Sequence, residues 1–223
     1  ATLAVLFVWS LIAIVLTGPV MVRTPSKLDL PYGLEVSAGR LQRDVLHLSQ
    51  DLSPRNYRRI DNLDRAASWI AQELGDAGLT VEIQDYELPD GRYRNVVGFR
   101  QGLEAAGPVR VIGAHYDAYG DGPGADDNAS GVAVLLELAR TKPPLRPRLS
   151  QYFVAFSTEE PPFFATESMG SYAFARRLRE RGVEVETMVA LDLVGYYTDD
   201  PHSQRFPLPL LGLLYPREGN FVA

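Results

Sequence analysis

Residues Val109 to Val132 read VRVIGAHYDAYGDGPGADDNASGV, and the fold turns on them. The apolar, β-rich run at the start suits a buried strand and ends in His115-Tyr116-Asp117. A loop of glycine and aspartate follows, and Asp126-Asp127-Asn128 then opens an apolar pattern of helical period. Imidazole and carboxylates at the end of a strand are the groups that a metal-activated water needs.

Working outward, Ser37 to Leu52 places Leu41, Val45, Leu48 and Leu52 at helical spacing, with His47 off that stripe as a solvated residue. A second helix is predicted over Asn62 to Asp76, ended by Gly75 and Gly78. Three β-rich runs come next, Thr80–Leu88, Tyr93–Phe99 and Pro108–Ala114, with Asp90-Gly91 as a hairpin signal between the first two. Asn128 to Thr141 reads as a helix, Gln151 to Ser157 as a buried strand ending near Glu159-Glu160, and Ser171 to Arg181 as a helix. Val183 to Val194 contains a further strand carrying Asp192. Alternation of strand and helix from Val109 onward implies parallel pairing, and the hairpin implies a mixed sheet. The expected architecture is α/β, a three-layer α/β/α sandwich with a mixed, largely parallel sheet. Sites in such sheets lie beyond the carboxyl ends of the strands, where His115, Glu159-Glu160 and Asp192 converge.

The chain of 223 residues is long enough to bury a substantial core. A net charge of −6 with mixed signs makes no electrostatic case for nucleic acid. The absence of cysteine excludes disulfides, thiolate metal sites and cysteine nucleophiles. Histidine occurs only at 47, 115 and 202, so a metal site must rely on carboxylates. Residues 1–22 carry no charge, and they read as a transmembrane anchor in preference to a cleaved signal peptide or a buried helix. That places the remaining chain at a membrane, on its extracytoplasmic side. A linker over 23–36 then leads into one domain over 37–223. Both ends read as clipped, since the chain opens on Ala1 rather than Met and closes on apolar GNFVA.

Oxygen and imidazole donors without thiolate suit a zinc-type hydrolytic site. Of the adjacent Glu159 and Glu160, which cannot point the same way along an extended chain, one can bind metal while the other acts as general base. Rival readings of the central stretch fail on particulars. A phosphate-binding glycine loop needs a lysine that is missing here. An EF-hand starting at Asp117 would need Glu where Asn128 stands. A plain solvated acidic loop leaves the register of Glu159-Glu160 and Asp192 without a reason.

Taken together, His115-Tyr-Asp117, the run Pro123 to Gly131, Phe156-Ser-Thr-Glu-Glu160, Gly170-Ser171 and Leu191-Asp192 resemble the co-catalytic zinc aminopeptidase family. Glutamate carboxypeptidases, glutaminyl cyclases and transferrin receptor are among its wider relatives. The resemblance implies that Asp127 bridges two zinc ions, that His115 and Asp192 complete one set of ligands, and that Glu160 binds the other ion. It implies Glu159 as general base, Asp117 as the residue that orients the His115 ring, and a cis bond between Asp127 and Asn128. The substrate would be a peptide or small amide. The family's final histidine ligand lies far downstream of the Asp192 position, where only His202 follows here, within a loop. The expectation is therefore one zinc at most in this chain and little peptidase activity. A glutaminyl-cyclase-like transferase and a non-catalytic, membrane-tethered binding ectodomain stand as alternatives.

Overall fold

A computed structural model describes residues 22–23, 35–141, 146–205, 217–219 and 221–222. The chain divides into two compact units, one of Asp29–Gly195 and one of residues 1–28 with 196–223. The second unit is described only in part: Val22–Arg23 pairs antiparallel with Phe221–Val222, and Thr198 N–H donates to the Gly219 carbonyl at 2.9 Å. The apolar segment expected as a membrane anchor lies outside the described residues except for Val22. Among the described residues no helix is long and apolar enough to cross a membrane.

In Asp29–Gly195 the first helix, α1 (Ala38–Leu46), starts where the Ser37 hydroxyl accepts the Arg40 N–H at 3.2 Å. It continues as a π-turn through His47–Asp51, which carries Leu48 into the core. His47 is half-buried, not fully solvated, and its ring lies tilted against Trp69 with the centroids 4.9 Å apart. Helix α2 (Ile60–Asp76) buries Leu63, Ala66, Ala67, Ile70 and Leu74 on one face. Gly78 ends it in the left-handed region at φ 84°, a conformation that costs glycine little.

Strands β1 (Thr80–Leu88) and β2 (Gly91–Arg100) form the expected hairpin, with its turn one residue early. Pro89 and Asp90 make the two-residue loop, and Gly91 opens β2 where a Cβ would come within 2.5 Å of Ile60. Strand β3 (Glu104–His115) is followed by a π-turn over Ala125–Ser130 and then α3 (Gly131–Arg140). Next come β4 (Leu149–Phe156), α4 (Gly170–Glu180) and β5 (Val185–Ala190).

The sheet is mixed, in the order β1-β2-β4-β3-β5. It is less parallel than expected: β4–β3 and β3–β5 are parallel, while β1–β2 and β2–β4 are antiparallel. The cause is placement, because the hairpin docks on β4 and not on its sequence neighbour β3. One face of the sheet, with Val96, Ala114, Phe153 and Ala155, packs on Leu48 of the first π-turn, Ile70 and Leu74 of α2, and Val132 and Leu135 of α3. The other face, with Val97, Val111, Val154 and Phe156, packs on Phe174 and Leu178 of α4. Among the described residues β5 is an edge strand, with all six of its residues exposed. Strands β3, β4 and β5 run in one direction, so their carboxyl ends share one rim of the sheet.

Candidate metal centre

His115 is the last residue of β3, and 5% of its side chain is exposed. Its Nδ1 lies 3.2 Å from the main-chain carbonyl of Asp117 and 3.5 Å from the Asp117 carboxylate. The ring is thereby oriented with Nε2 toward the rim. Around Nε2 stand Asp127 Oδ1 at 3.1 Å, Asp192 Oδ1 at 3.5 Å and Glu159 Oε2 at 3.8 Å. Nε2 is nevertheless buried without a hydrogen bond, and so is Glu160 Oε1. Native interiors rarely leave such atoms unmatched, and an ion is one of the few reasons for it.

Donor atoms of His115, Asp127 and Asp192 lie within 4.8 Å of one another, and so do those of His115, Glu159 and Glu160. An imidazole with carboxylates is a donor set that zinc accepts. The residues present therefore fit such an ion. His202 belongs to the other unit.

The electrostatics follow from crowding acids around one buried ring. Burial alone would lower the His115 pKa, but Asp117 and Asp192 outweigh it and raise it to about 11. Burial, followed by the charge of Asp127, pushes Glu160 up to about 7. Glu159 is raised as well, first by burial and then by the surrounding aspartates against the opposing pull of His115.

The Asp117 carboxylate has further partners that its sequence position does not announce. Its Oδ1 accepts the Glu159 N–H at 3.2 Å and its Oδ2 the Glu160 N–H at 3.0 Å, tying the end of β3 to the loop after β4. Asp126, which the sequence leaves as a loop acid, accepts the Gly195 N–H at 2.8 Å. Ser130 Oγ accepts the Val194 N–H at 3.2 Å, and Asn128 Nδ2 donates to the Leu191 carbonyl at 2.8 Å. These three side chains strap down the loop that presents Asp192. The Asp127–Asn128 peptide bond is cis, as the resemblance implies. Near Glu159, Asn95 Oδ1 accepts the Ser157 N–H at 3.1 Å, and the Tyr86 hydroxyl meets Thr158 Oγ1 at 2.8 Å. A buried asparagine in the middle of a predicted strand was the available signal for Asn95; Tyr86 and Asp126 carried none.

Residues 95–208 match the profile of peptidase family M28. The chain is 42% identical over 195 residues to the uncharacterized protein YfbL of Escherichia coli (strain K12), covering 84% of this chain and 59% of YfbL. It is 33% identical over 202 residues to a probable zinc metalloprotease of Leptosphaeria maculans, covering 79% and 45% respectively. The chain thus spans about half the length of the curated relatives it matches. A glutaminyl cyclase of Porphyromonas gingivalis superposes with a TM-score of 0.60 at 28% identity, over 72% of this chain and 60% of that one.

Proposed function

The chain belongs to peptidase family M28, the co-catalytic zinc aminopeptidase family, and on that premise we propose that it carries the metal-binding centre of a zinc-dependent exopeptidase acting beside a free amino terminus. The observation that carries this reading is the His115 imidazole, its Nε2 buried, unbonded and ringed by three carboxylates at the shared rim of β3, β4 and β5. His115, Asp127 and Asp192 would hold one ion. Glu160, with its buried Oε1, would serve a second ion together with Asp127. Because both donor groups use His115, and Nε2 coordinates a single ion, the described residues support one zinc well and a second poorly.

Zinc, when bound, supplies Lewis acidity that polarises a peptide carbonyl and acidifies a coordinated water. Glu159 has the complementary task. Its Oε2 takes a proton from the attacking water and returns it to the leaving amine, and its raised pKa favours holding that proton between the two transfers. Asp117 keeps the carboxylate within reach by holding the Glu159 N–H.

The similarity to a glutaminyl cyclase favours one alternative, cyclisation of amino-terminal glutamine. The deciding experiment incubates the zinc-loaded protein, extended past Ala223 to the length of its relatives, with aminoacyl-nitroanilides and with a glutaminyl peptide. Release of nitroaniline, lost at least about a hundredfold in Glu159→Gln at unchanged zinc content, supports the peptidase. Pyroglutamate without nitroaniline supports the cyclase, and full zinc occupancy without hydrolysis sinks the peptidase reading. A membrane tether through residues 1–22 belongs to the same proposal and rests on their lack of charge. Recovery of the chain in the soluble fraction after expression with those residues intact would refute it.

A further inference from the structure

Arg55 is the largest fully buried side chain among the described residues, and no carboxylate there pairs with it directly. Its guanidinium donates to main-chain carbonyls instead. Nε reaches Tyr116 O at 2.9 Å, Nη1 reaches Leu48 O and, at 3.0 Å, Pro123 O, and Nη2 reaches Gly124 O at 3.0 Å. The Arg55 carbonyl accepts the Ala118 N–H at 2.8 Å.

Apart from Leu48, these partners fall on both ends of one loop. Tyr116 sits between His115 and Asp117, while Pro123 and Gly124 stand shortly before Asp127. Gly124 adopts φ 56°, and a Cβ there would meet Ala118 Cβ at 2.5 Å, the Asp127 carbonyl at 2.6 Å and Arg55 Nη2 at 3.0 Å, so the close packing of the loop at this point requires glycine. Burial lowers the Arg55 pKa to about 10, partly offset by the charge of Asp117, which leaves the group cationic at neutral pH. A planar fork of donors can serve several carbonyls at fixed angles, which a lysine ammonium cannot.

We propose that Arg55 is a positioning residue of the metal centre: by gripping the carbonyls of Tyr116, Pro123 and Gly124 it sets the separation of His115 and Asp127 before any ion arrives. This rests on the reading of the acidic cluster as a zinc site. A loop closed in advance spares the ion the entropy of ordering it, so the role is read in affinity and in the metal-free state.

The experiment compares the full chain with Arg55→Lys, which keeps the charge and loses the fork, and with Ile70→Ala, a core change on α2 that removes none of the hydrogen bonds to the loop. Zinc affinity is measured by chelator competition, and thermal unfolding is measured without metal. The expected result is an affinity loss of roughly 10–100-fold in Arg55→Lys beyond that of Ile70→Ala once their thermal losses are matched. Equal affinity losses would overturn the proposal. Should Arg55→Lys fail to fold, hydrogen exchange in the unaltered chain decides. Slow exchange at the amides of Ala118 and Ala129 without zinc supports a loop closed in advance. Fast exchange there, slowed only by zinc, would show that the ion builds the loop and would refute the role of Arg55. A chain that takes up no zinc while those amides exchange slowly would overturn the metal reading itself, and the affinity role of Arg55 with it.

Discussion

Without metal the centre stores protons that zinc must displace, and their number follows from the geometry. His115, with a pKa of about 11, is imidazolium at pH 6. Glu160, with a pKa of about 7, is then protonated in roughly nine molecules of ten. Zinc would bind the neutral ring, and its positive charge would drive the proton off neighbouring Glu160 even where that carboxylate is not a ligand. Loading the chain at pH 6 is therefore expected to release about 1.9 protons per ion, with raised Glu159 adding to the count. Glu160→Gln removes one source and lowers the release to about one. From pH 6 to pH 7 His115 contributes a tenfold gain in apparent affinity and Glu160 about fivefold, together about 50-fold or ~2.3 kcal/mol. Titration calorimetry in buffers of different ionisation enthalpy counts the protons directly. A release near zero, or one indifferent to Glu160→Gln, would refute the crowded, desolvated picture of the site.

The same pKa values set how stability without metal varies with pH. Both groups hold protons more tightly folded than unfolded, so both favour the fold at low pH. The Glu160 contribution is lost as pH rises from 4.5 to about 7, and that of His115 between 6.5 and about 11. Urea unfolding in the presence of a chelator should show stability falling across that range, and a rise would contradict the assignment. Asp117→Asn replaces one acceptor oxygen by a donor and leaves the Glu159 or Glu160 N–H without a partner; a loss of about 1–3 kcal/mol by urea unfolding is expected, with roughly 10–100-fold weaker zinc binding by chelator competition. Gly170→Ala would drive a methyl into Asn95 Oδ1 and the Ser157 carbonyl, where α4 meets the end of β4. A loss of about 2–3 kcal/mol by urea unfolding is expected there.

Much of this was legible in the sequence for a definite reason. A buried parallel strand writes itself as an apolar run, and chemistry placed at its end stands out as polar residues that interrupt the pattern. Hence His115, Glu159-Glu160 and Asp192 could be placed on one rim before any coordinates. Hydrogen bonds to the backbone leave no such trace. Arg55, Asp126 and the carboxylate of Asp117 serve main-chain groups of segments far away in the chain, and the residue types of those segments say nothing of it. Strand order was hidden for a related cause. Nothing in Tyr93–Phe99 says whether it will lie against β3 or β4, because both offer the same kind of apolar face.

The exposed edge of the sheet bears on how these molecules behave in company. Along β5, Val185, Met188 and Val189 each stand more than 40% exposed, beside a row of peptide groups that pair on the β3 side alone within the described sheet. Such a border is adhesive, since any extended segment of a neighbouring molecule can zip onto it. Light scattering from this 223-residue chain should then rise with concentration, and Met188→Lys should hold it flat.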